Sequence, residues 1–576
     1  MKIQFITTAF NGMAQRLWIE LDRLNHEVHV VIPNTTEQLI EDTNQYKPEL
    51  IIAPFLTYKI PKAIYKKYTC LIVHPGIIGD RGASSLDWAI LKQKKTWGVT
   101  ILEATEKMDA GPIWAFNAFK MRNVSKAELY RNEVTQAASK GVLQALNYFK
   151  NSDFKPQLLD YTNAEIKGTW NPKTTQKEFQ FSWEDDVQDI IRNINASDSA
   201  PGTLIELFEK EFYTYGAHLE TSLKGTNGSV LAQRHNAICI ATKNEAIWVT
   251  HLKSTDTNAI KLPATMALGK LANDIPNSKL TPFDTVVSET WQEIRFKQEN
   301  DIGYLHFDFY NGAMSTEQCL RLKNALIEAK KLVKIVVLMG GRDVWSNGIH
   351  LNSIENAENP AQESWENINA IDDLILEIIN STDHYIISAL QGNAGAGGVS
   401  LAIAADRIIC RDGIVLNPHT KNMGLYGSEY WTYLLPKRIG FKKAERFTED
   451  CLPWGVAVAH EIGLIDGIYN DQKIDFTTHI KQFTKNIIDL PYFDKLLKAK
   501  KMQRKKDERN KPLSLYREEE LDKMHKNFFE NDLDYNYKRY CFVHKITDTS
   551  SKTVKDLYRL RRETYRKRKW ENLDYE

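Results

Sequence analysis

The chain has 576 residues, too many for one hydrophobic core, so three or four domains are expected. It is 42% hydrophobic and 26% charged with a formal net charge of +1, which leaves no electrostatic footprint for nucleic acid or a membrane surface. The six cysteines (Cys70, Cys239, Cys319, Cys410, Cys451, Cys541) form no CxxC pair, which argues against a zinc knuckle or a disulfide framework and fits reduced thiols in a cytoplasmic protein.

The N-terminus reads as a first strand and not as a signal peptide. Short apolar runs at 3–7, 28–32, 50–53, 70–73 and 97–102 predict strands, and helical spacing covers 13–24 and 126–149. This alternation predicts a parallel sheet with helices on both faces, and ligands at the carboxyl ends of its strands. From about 170 to 283 the character changes. A helix at 183–193 and a turn at 198–202 precede β-like runs at 229–231, 237–241 and 246–251, which predict a small barrel or sheet. Residues 273–282 read as a linker. Beyond residue 291, strands at 302–307, 335–339 and 385–390 with a helix at 316–332 predict a second α/β region. The most apolar stretch, 386–410, is interrupted by glycines, Asn393 and Asp406, which argues against a membrane helix. The last hundred residues are helical and charged. Their basic run at 559–569 interleaves Tyr565 and precedes Trp570; flanking acidic residues favour a solvated face over a site for RNA or CoA phosphates.

Two stretches carry candidate chemistry. In the first, strand 70–73 runs into His74-Pro75-Gly76, and Met108-Asp109-Ala110-Gly111 follows the next strand. A histidine and a carboxylate at strand ends can move protons during attack on an acyl carbon, although a histidine there can equally just end a strand. A zinc reading of His74 with Asp80 lacks a third ligand. In the second, Gly341–His350 follows strand 335–339, and Gly395-Ala396-Gly397-Gly398-Val399-Ser400 lies some fifty residues on. Glycines let backbone N–H groups approach an oxygen closely and stabilise negative charge on it. No Gly-Lys-Ser/Thr follows and the spacing is not GxGxxG, so neither a P-loop nor a dinucleotide site fits; tight helix–strand packing remains the plain alternative.

His74-Pro75 and Asp109-Ala110-Gly111-Pro112-Ile113 resemble the folate-dependent formyltransferases, and the middle region resembles the small C-terminal domain of the methionyl-tRNA enzyme. The resemblance implies 10-formyltetrahydrofolate as formyl donor, His74 and Asp109 as catalytic residues, and a pterin pocket bordered by Phe55 and Leu56 in the loop 54–59. Those enzymes carry Asn two residues before the histidine, where this chain has Ile72; Arg81 or a backbone N–H is the candidate replacement. The second stretch is similar to the enoyl-CoA hydratase/isomerase (crotonase) superfamily. The likeness implies a coenzyme A thioester as ligand, oxyanion donors at Ile349 and Gly397, and Gly348 and Asn347 beside them. The hydratases' two glutamates correspond to Ser400 and His419, which excludes an ordinary hydratase.

The two halves in this order resemble a family of [NiFe]-hydrogenase maturation proteins, through segments 74–90, 345–352, 393–399, 417–423, 425–435 and 527–529. That resemblance implies an α/β multidomain chain. It comprises a Rossmann-like, folate-binding formyltransferase domain (1–165), a small β-barrel-like (OB-like) domain (166–285), a crotonase-like CoA-binding domain (286–475) and a helical C-terminal extension (476–576). It also implies a cytoplasmic bifunctional enzyme, a formyltransferase and a formyl-CoA decarbonylase (a lyase), making CO for the NiFe site. His419 is the implied base, with Glu429, Tyr426 or Tyr430 as relay. A tyrosine is expected after Asn417-Pro418-His419, where this chain has Thr420, so Tyr426 or Tyr430 must stand in. Release of formate by thioester hydrolysis, or a CoA-binding scaffold without turnover, are the alternatives. The expected partners are small-molecule substrates and hydrogenase maturation proteins, with no metal, nucleic acid or membrane.

Overall fold

The computed structural model describes residues 1–470 and 474–546, so the basic run at 559–569 lies outside the described residues. Among the described residues the chain forms two compact units, the first built from Met1–Asn277 with Ser288–Thr290, the second from Ser278–Val287 and residues 291–546.

The first unit opens with strands β1 (Lys2–Ile6), β2 (Glu27–Val31), β3 (Leu50–Ala53), β4 (Cys70–His74), β5 (Thr96–Glu103) and β6 (Ile113–Lys120), in the order β2-β1-β3-β4-β5-β6. The first four are parallel and nearly all apolar, with Ile6, Val31, Ile51, Ala53 and Cys70 in one core cluster. Strands covered on both faces have this composition. The fifth strand is present but antiparallel to β4, and β6 pairs antiparallel beyond it. The expectation of an all-parallel sheet is corrected here, because an apolar run carries no mark of its direction. Asn11 caps the helix Gly12–Arg23 by accepting from the Ala14 amide, and Ser125 and Glu128 form a capping box at Lys126.

The middle region holds β7 (Thr203–Leu207), β8 (Lys210–Glu220), β9 (Val230–Arg234), β10 (Ala237–Ala241), β11 (Ala246–Ser254) and β12 (Leu262–Pro263). The antiparallel order is β7-β8-β11-β10-β9, with β12 added on β11. The helix Val187–Ser197 lays Val187, Ile190, Ile191 and Ile194 against Ile238, Ile240, Ile247 and Val249. Residues 273–282 are tied down rather than loose: Gln233 donates its amide to Pro276, and Phe296 donates its own to Pro282. Glu220, 1% exposed, ends β8 by accepting from the Trp248 indole at 2.8 Å, the Ser222 amide at 2.7 Å and the Thr290 hydroxyl.

In the second unit the main sheet runs β13 (Ile294–Glu299), β14 (Ile302–Phe307), β15 (Ile335–Met339), β17 (Tyr385–Leu390), β19 (Arg407–Arg411) and β22 (Gly467–Tyr469), with only the β13–β14 pair antiparallel. A second sheet joins β16 (Val344–Ser346), β18 (Asn393–Gly395), β20 (Val415–Asn417) and β21 (Trp454–Gly455). Strands β15, β17 and β19 each pass within a few residues into a strand of this second sheet. Three loops, after β16, β18 and β20, therefore open at one edge. Helices Phe476–Ile488, Phe493–Asn510, Leu513–His525 and Tyr535–His544 form the helical C-terminal region. Among the described residues no helix is long and apolar enough to cross a membrane.

Truncating Glu220 leaves buried donors without their acceptor, so Glu220→Ala should cost about 2–3 kcal/mol in chemical denaturation. Burial would raise the Glu220 pKa, but hydrogen bonds from Thr290, Trp248 and two amides outweigh it and hold it below the ordinary carboxylate value. Its contribution is then complete above the unfolded-state pKa and is lost as pH falls through the folded one. The variant should show a flatter acid limb in a plot of stability against pH than the parent.

Candidate functional site

In the first unit, β4 delivers His74, 5% exposed, at its carboxyl end. Two carboxylates flank the imidazole: Asp80 Oδ2 lies 3.1 Å from Nε2 and Asp109 Oδ1 lies 3.6 Å from Nδ1. Burial pulls the His74 pKa down, but the hydrogen bond to Asp80 and the charges of Asp109 and Asp80 outweigh it, so the net displacement is upward. Glycine is required nearby, since a methyl group on Gly76 would fall 2.3 Å from His74 Nε2 and 2.6 Å from Asp80 Oδ2. The turn is pinned by Trp97 and Ser85 donating to the Pro75 carbonyl at 2.9 and 2.8 Å, and by Thr100 donating to Gly76 at 2.7 Å. Asp109 sits at a left-handed φ of 55° and accepts the Gly82 amide at 3.3 Å. Asn171, far along the chain, donates to Asp80 Oδ1 at 3.3 Å.

Phe55 is half-buried, and its carbonyl accepts from the Thr8 amide at 2.8 Å and the Thr7 hydroxyl at 2.9 Å. Leu56 packs with Ile72 on the apolar cluster under the strand ends. Arg81 stacks its guanidinium 4.5 Å from the Tyr161 ring centre, with Nε buried and without a hydrogen-bond partner. The Tyr58 hydroxyl, in the same loop as Phe55, is likewise buried and unpartnered, and burial pushes it up to about 12. Among the described residues no three His, Cys, Asp or Glu side chains gather as a metal site.

In the second unit the three loop ends converge. A methyl on Gly348 (φ 76°) would lie 3.1 Å from the Gly397 amide nitrogen, so the two backbones touch. The Gly348 carbonyl accepts from Met314 at 2.9 Å, and among the described residues neither the Ile349 nor the Gly397 amide has an intramolecular acceptor. Ala396 turns the chain there at φ 46°, ψ −130°, a conformation that L residues rarely adopt. Asn347 anchors the loop by donating to Asn311 at 2.7 Å, and its Oδ1 would lie 2.7 Å from a methyl on Gly395. Ser400 lies buried on the helix Gly397–Ile403.

His419 borders the same turn: a methyl on Gly395 would lie 3.0 Å from its Cε1. Its Nδ1 lies 2.8 Å from the Asn417 carbonyl, which can only accept, so Nδ1 carries the hydrogen and Nε2 the lone pair. Burial holds its pKa below the usual imidazole value, with the Asn417 carbonyl working against it. Glu429 closes the site from the other side: its Oε1 would be 2.1 Å from a methyl on Gly397. Burial, then the charge of Asp372, pushes Glu429 up to about 8. The structure thus brings Gly348, Gly397, His419 and Glu429 together around one turn. The two tyrosines are engaged differently. Tyr426 packs on Trp431 with the Lys523 ammonium 3.9 Å from its ring centre. Tyr430 lines a cavity of about 550 Å³ with Arg504, Lys505 and Arg517.

Sequence reasoning did not assign roles to Asn171, Asp372 and Glu520. Each acts across 57 or more positions, and no local motif marks them. In the sequence Asp80 stands beside His74 only as part of a zinc set that lacks a third ligand; the fold makes it a partner of His74 Nε2 at 3.1 Å.

Residues 25–146 match the formyl transferase family, 173–267 the formyl transferase C-terminal domain, and 308–544 the enoyl-CoA hydratase/isomerase family. The chain is 39% identical over 565 residues to hydrogenase maturation factor HoxX of Bradyrhizobium diazoefficiens, covering 98% of both chains. It is 22% identical over 250 residues to the methionyl-tRNA formyltransferase of Bacillus velezensis, covering 42% of this chain and 78% of that one. The structure superposes on crystalline HypX from Aquifex aeolicus in complex with tetrahydrofolic acid with a TM-score of 0.93 and 44% identity, over 98% of this chain and 99% of that one.

Ala396→Gly should relieve the strained turn and raise the unfolding free energy by about 1 kcal/mol in denaturant titrations. The same change loosens the aim of the Gly397 amide, so any activity that uses this amide should fall while stability rises.

Proposed function

We propose, for a chain that belongs to the HoxX/HypX family of hydrogenase maturation factors, that it supplies CO to a hydrogenase active site in two steps. The first unit transfers a formyl group from 10-formyltetrahydrofolate to the thiol of coenzyme A. The second splits formyl-CoA into CO and free coenzyme A. A relative with 44% identity crystallised with tetrahydrofolic acid, together with the formyl transferase match, supports the folate assignment; coenzyme A rests on the crotonase-like match.

In the first step His74, held toward its cationic form between Asp80 and Asp109, polarises the formyl oxygen. That charge offsets the loss of the amide replaced by Ile72, which packs into the apolar cluster and can donate nothing. The thiol adds to the formyl carbon, its proton passes to the departing folate nitrogen, and Phe55, Leu56 and Arg81 border the donor.

In the second step the Ile349 and Gly397 amides hold the thioester oxygen, each contributing about 3–4 kcal/mol to barrier lowering. His419 Nε2 takes the formyl proton, the C–S bond breaks with its electron pair on sulfur, and Glu429 protonates the sulfur. One proton then passes from His419 to Glu429 to reset the pair. No electrons are gained or lost. What supports this reading is the placement of His419, with Nε2 free of the Asn417 carbonyl, and of the buried Glu429 carboxyl about the Gly395–Gly397 turn; burial displaces the two groups in opposite senses, toward the base and the acid that the step needs.

The test mixes the protein with 10-formyltetrahydrofolate and coenzyme A and captures gas with reduced haemoglobin. Carboxyhaemoglobin should form. His74→Ala should abolish both formyl-CoA and CO, and Glu429→Gln should let formyl-CoA accumulate with CO release slowed at least about a hundredfold. Formate in place of CO would sink the lyase reading and leave a hydrolase; no turnover by any route would leave a scaffold. Since the acid must be protonated, CO release should hold below and fall above a pH near the Glu429 value of about 8.

A further inference from the structure

Glu429 and Tyr430 are consecutive non-glycine residues at positive φ, 63° and 56°, just before the helix Trp431–Ile439. Two such residues in a row persist only where the surroundings hold them. Here the surroundings are two carboxyls from distant helices. Asp372, on the helix Pro360–Ile379, accepts the Glu429 amide and the Ser428 hydroxyl, both at 2.8 Å. Glu520, on the helix Leu513–His525, accepts the Tyr430 amide at 2.9 Å, the Thr432 amide at 2.8 Å and the Thr432 hydroxyl. The Ser428 hydroxyl also lies 3.5 Å from Glu520, and the Ser428 amide donates to Glu429 Oε2 at 2.9 Å.

Asp372, Glu429 and Glu520 are 0%, 4% and 1% exposed. Three carboxyls gathered about one serine in a dry interior cannot all ionise. The charged or titratable groups facing them are few. Among the described residues Arg517 is the cation nearest them, with Nε 3.9 Å from Asp372 and Nη1 2.7 Å from Asp373. The Tyr430 phenol lies beside Arg517, and the buried Cys319 thiol faces Glu429 from the helix Thr316–Lys330. His419 stands across the Gly395–Gly397 turn. Burial raises Asp372 to about 7 and Glu520 to about 8, in line with a cluster holding fewer charges than carboxyls.

We propose that Asp372 and Glu520 are positioning residues for Glu429: they clamp the Ser428–Tyr430 turn so that the Glu429 carboxyl stays against Gly397, and any negative charge that the pair carries adds to the cost of ionising Glu429. This rests on Glu429 being the acid of the second step. Neither residue touches the thioester.

The test reads protonation directly, through the infrared C=O stretch of protonated carboxyls in the full chain, with Glu429→Gln identifying the Glu429 band. The band should be present at pH 7. Asp372→Asn and Glu520→Gln each remove a like charge, so its titration should move down by about one pH unit, and the alkaline limit of CO release should move with it. Loss of structure alone would lower the melting temperature and activity at every pH without moving either titration, and that result overturns the proposal. So does an infrared spectrum at pH 7 in which Glu429→Gln removes no carboxyl band. Should Asp372→Asn not fold, Glu520→Gln carries the same readout, since it keeps the oxygen that serves Thr432. If the infrared titrations move as expected while the parent protein releases no CO, the clamp stands and the catalytic reading of Glu429 falls instead.

Discussion

The Asn417 carbonyl accepts from the Ala396 amide at 2.9 Å, from the His419 amide at 2.9 Å and from His419 Nδ1 at 2.8 Å. One oxygen thereby fixes the strained residue that aims Gly397 and the tautomer of the imidazole facing it. The three loop ends meet because β15, β17 and β19 each hand over to a strand of the second sheet, and β20 ends on Asn417 itself. If that carbonyl turned away, the backbone donors and the base would lose their common reference together. The geometry of the second site is thus a property of sheet continuation more than of any single side chain.

Each of the two candidate sites holds one histidine, and the two are treated oppositely. His74 is buried between two carboxylates and is held toward its cation, whereas His419 meets only a carbonyl and is held neutral. Desolvation acts on both in the same direction, so the neighbours decide the outcome. Glu429 completes the contrast, since its neighbours are like charges and burial is unopposed by a close cation. Opposite displacements of two imidazoles, and an upward one of a carboxyl, follow from nearest-neighbour electrostatics on ordinary side chains.

The α/β character of both units was legible because buried parallel strands read as apolar runs: Leu50–Ala53, Ile335–Met339 and Tyr385–Leu390 form strands where those runs lie. What escaped was carried by geometry without a sequence mark. Strands β7 and β8 are joined by Phe208-Glu209, both left-handed at φ 52° and 58°, where a hairpin signal of Asn-Gly would be sought. The sheet reverses at β5, and nothing in the apolar run of residues 97–102 tells its direction. At the second site the glycine turn and His419 stand out locally. The tyrosine next to Glu429 lines the Arg517 cavity, a placement set by two consecutive left-handed residues that no motif marks. Asp372 and Glu520 act across 57 and 90 positions, so only the folded chain places them.

The turn at Ser428–Tyr430 offers mostly backbone amides to its two clamps, and amides survive almost any substitution. Drift in the turn is therefore cheap, while the two acceptors on distant helices are fixed points. A relative could keep every glycine around Gly397 and its Glu429, exchange Asp372 for a neutral residue of similar size, and look unchanged to any motif comparison. Its carboxyl at position 429 would then titrate lower, with burial still holding it above the ordinary value. Likeness at the glycine turn therefore says nothing about the two remote acids, which only the folded chain brings to the Ser428–Tyr430 turn.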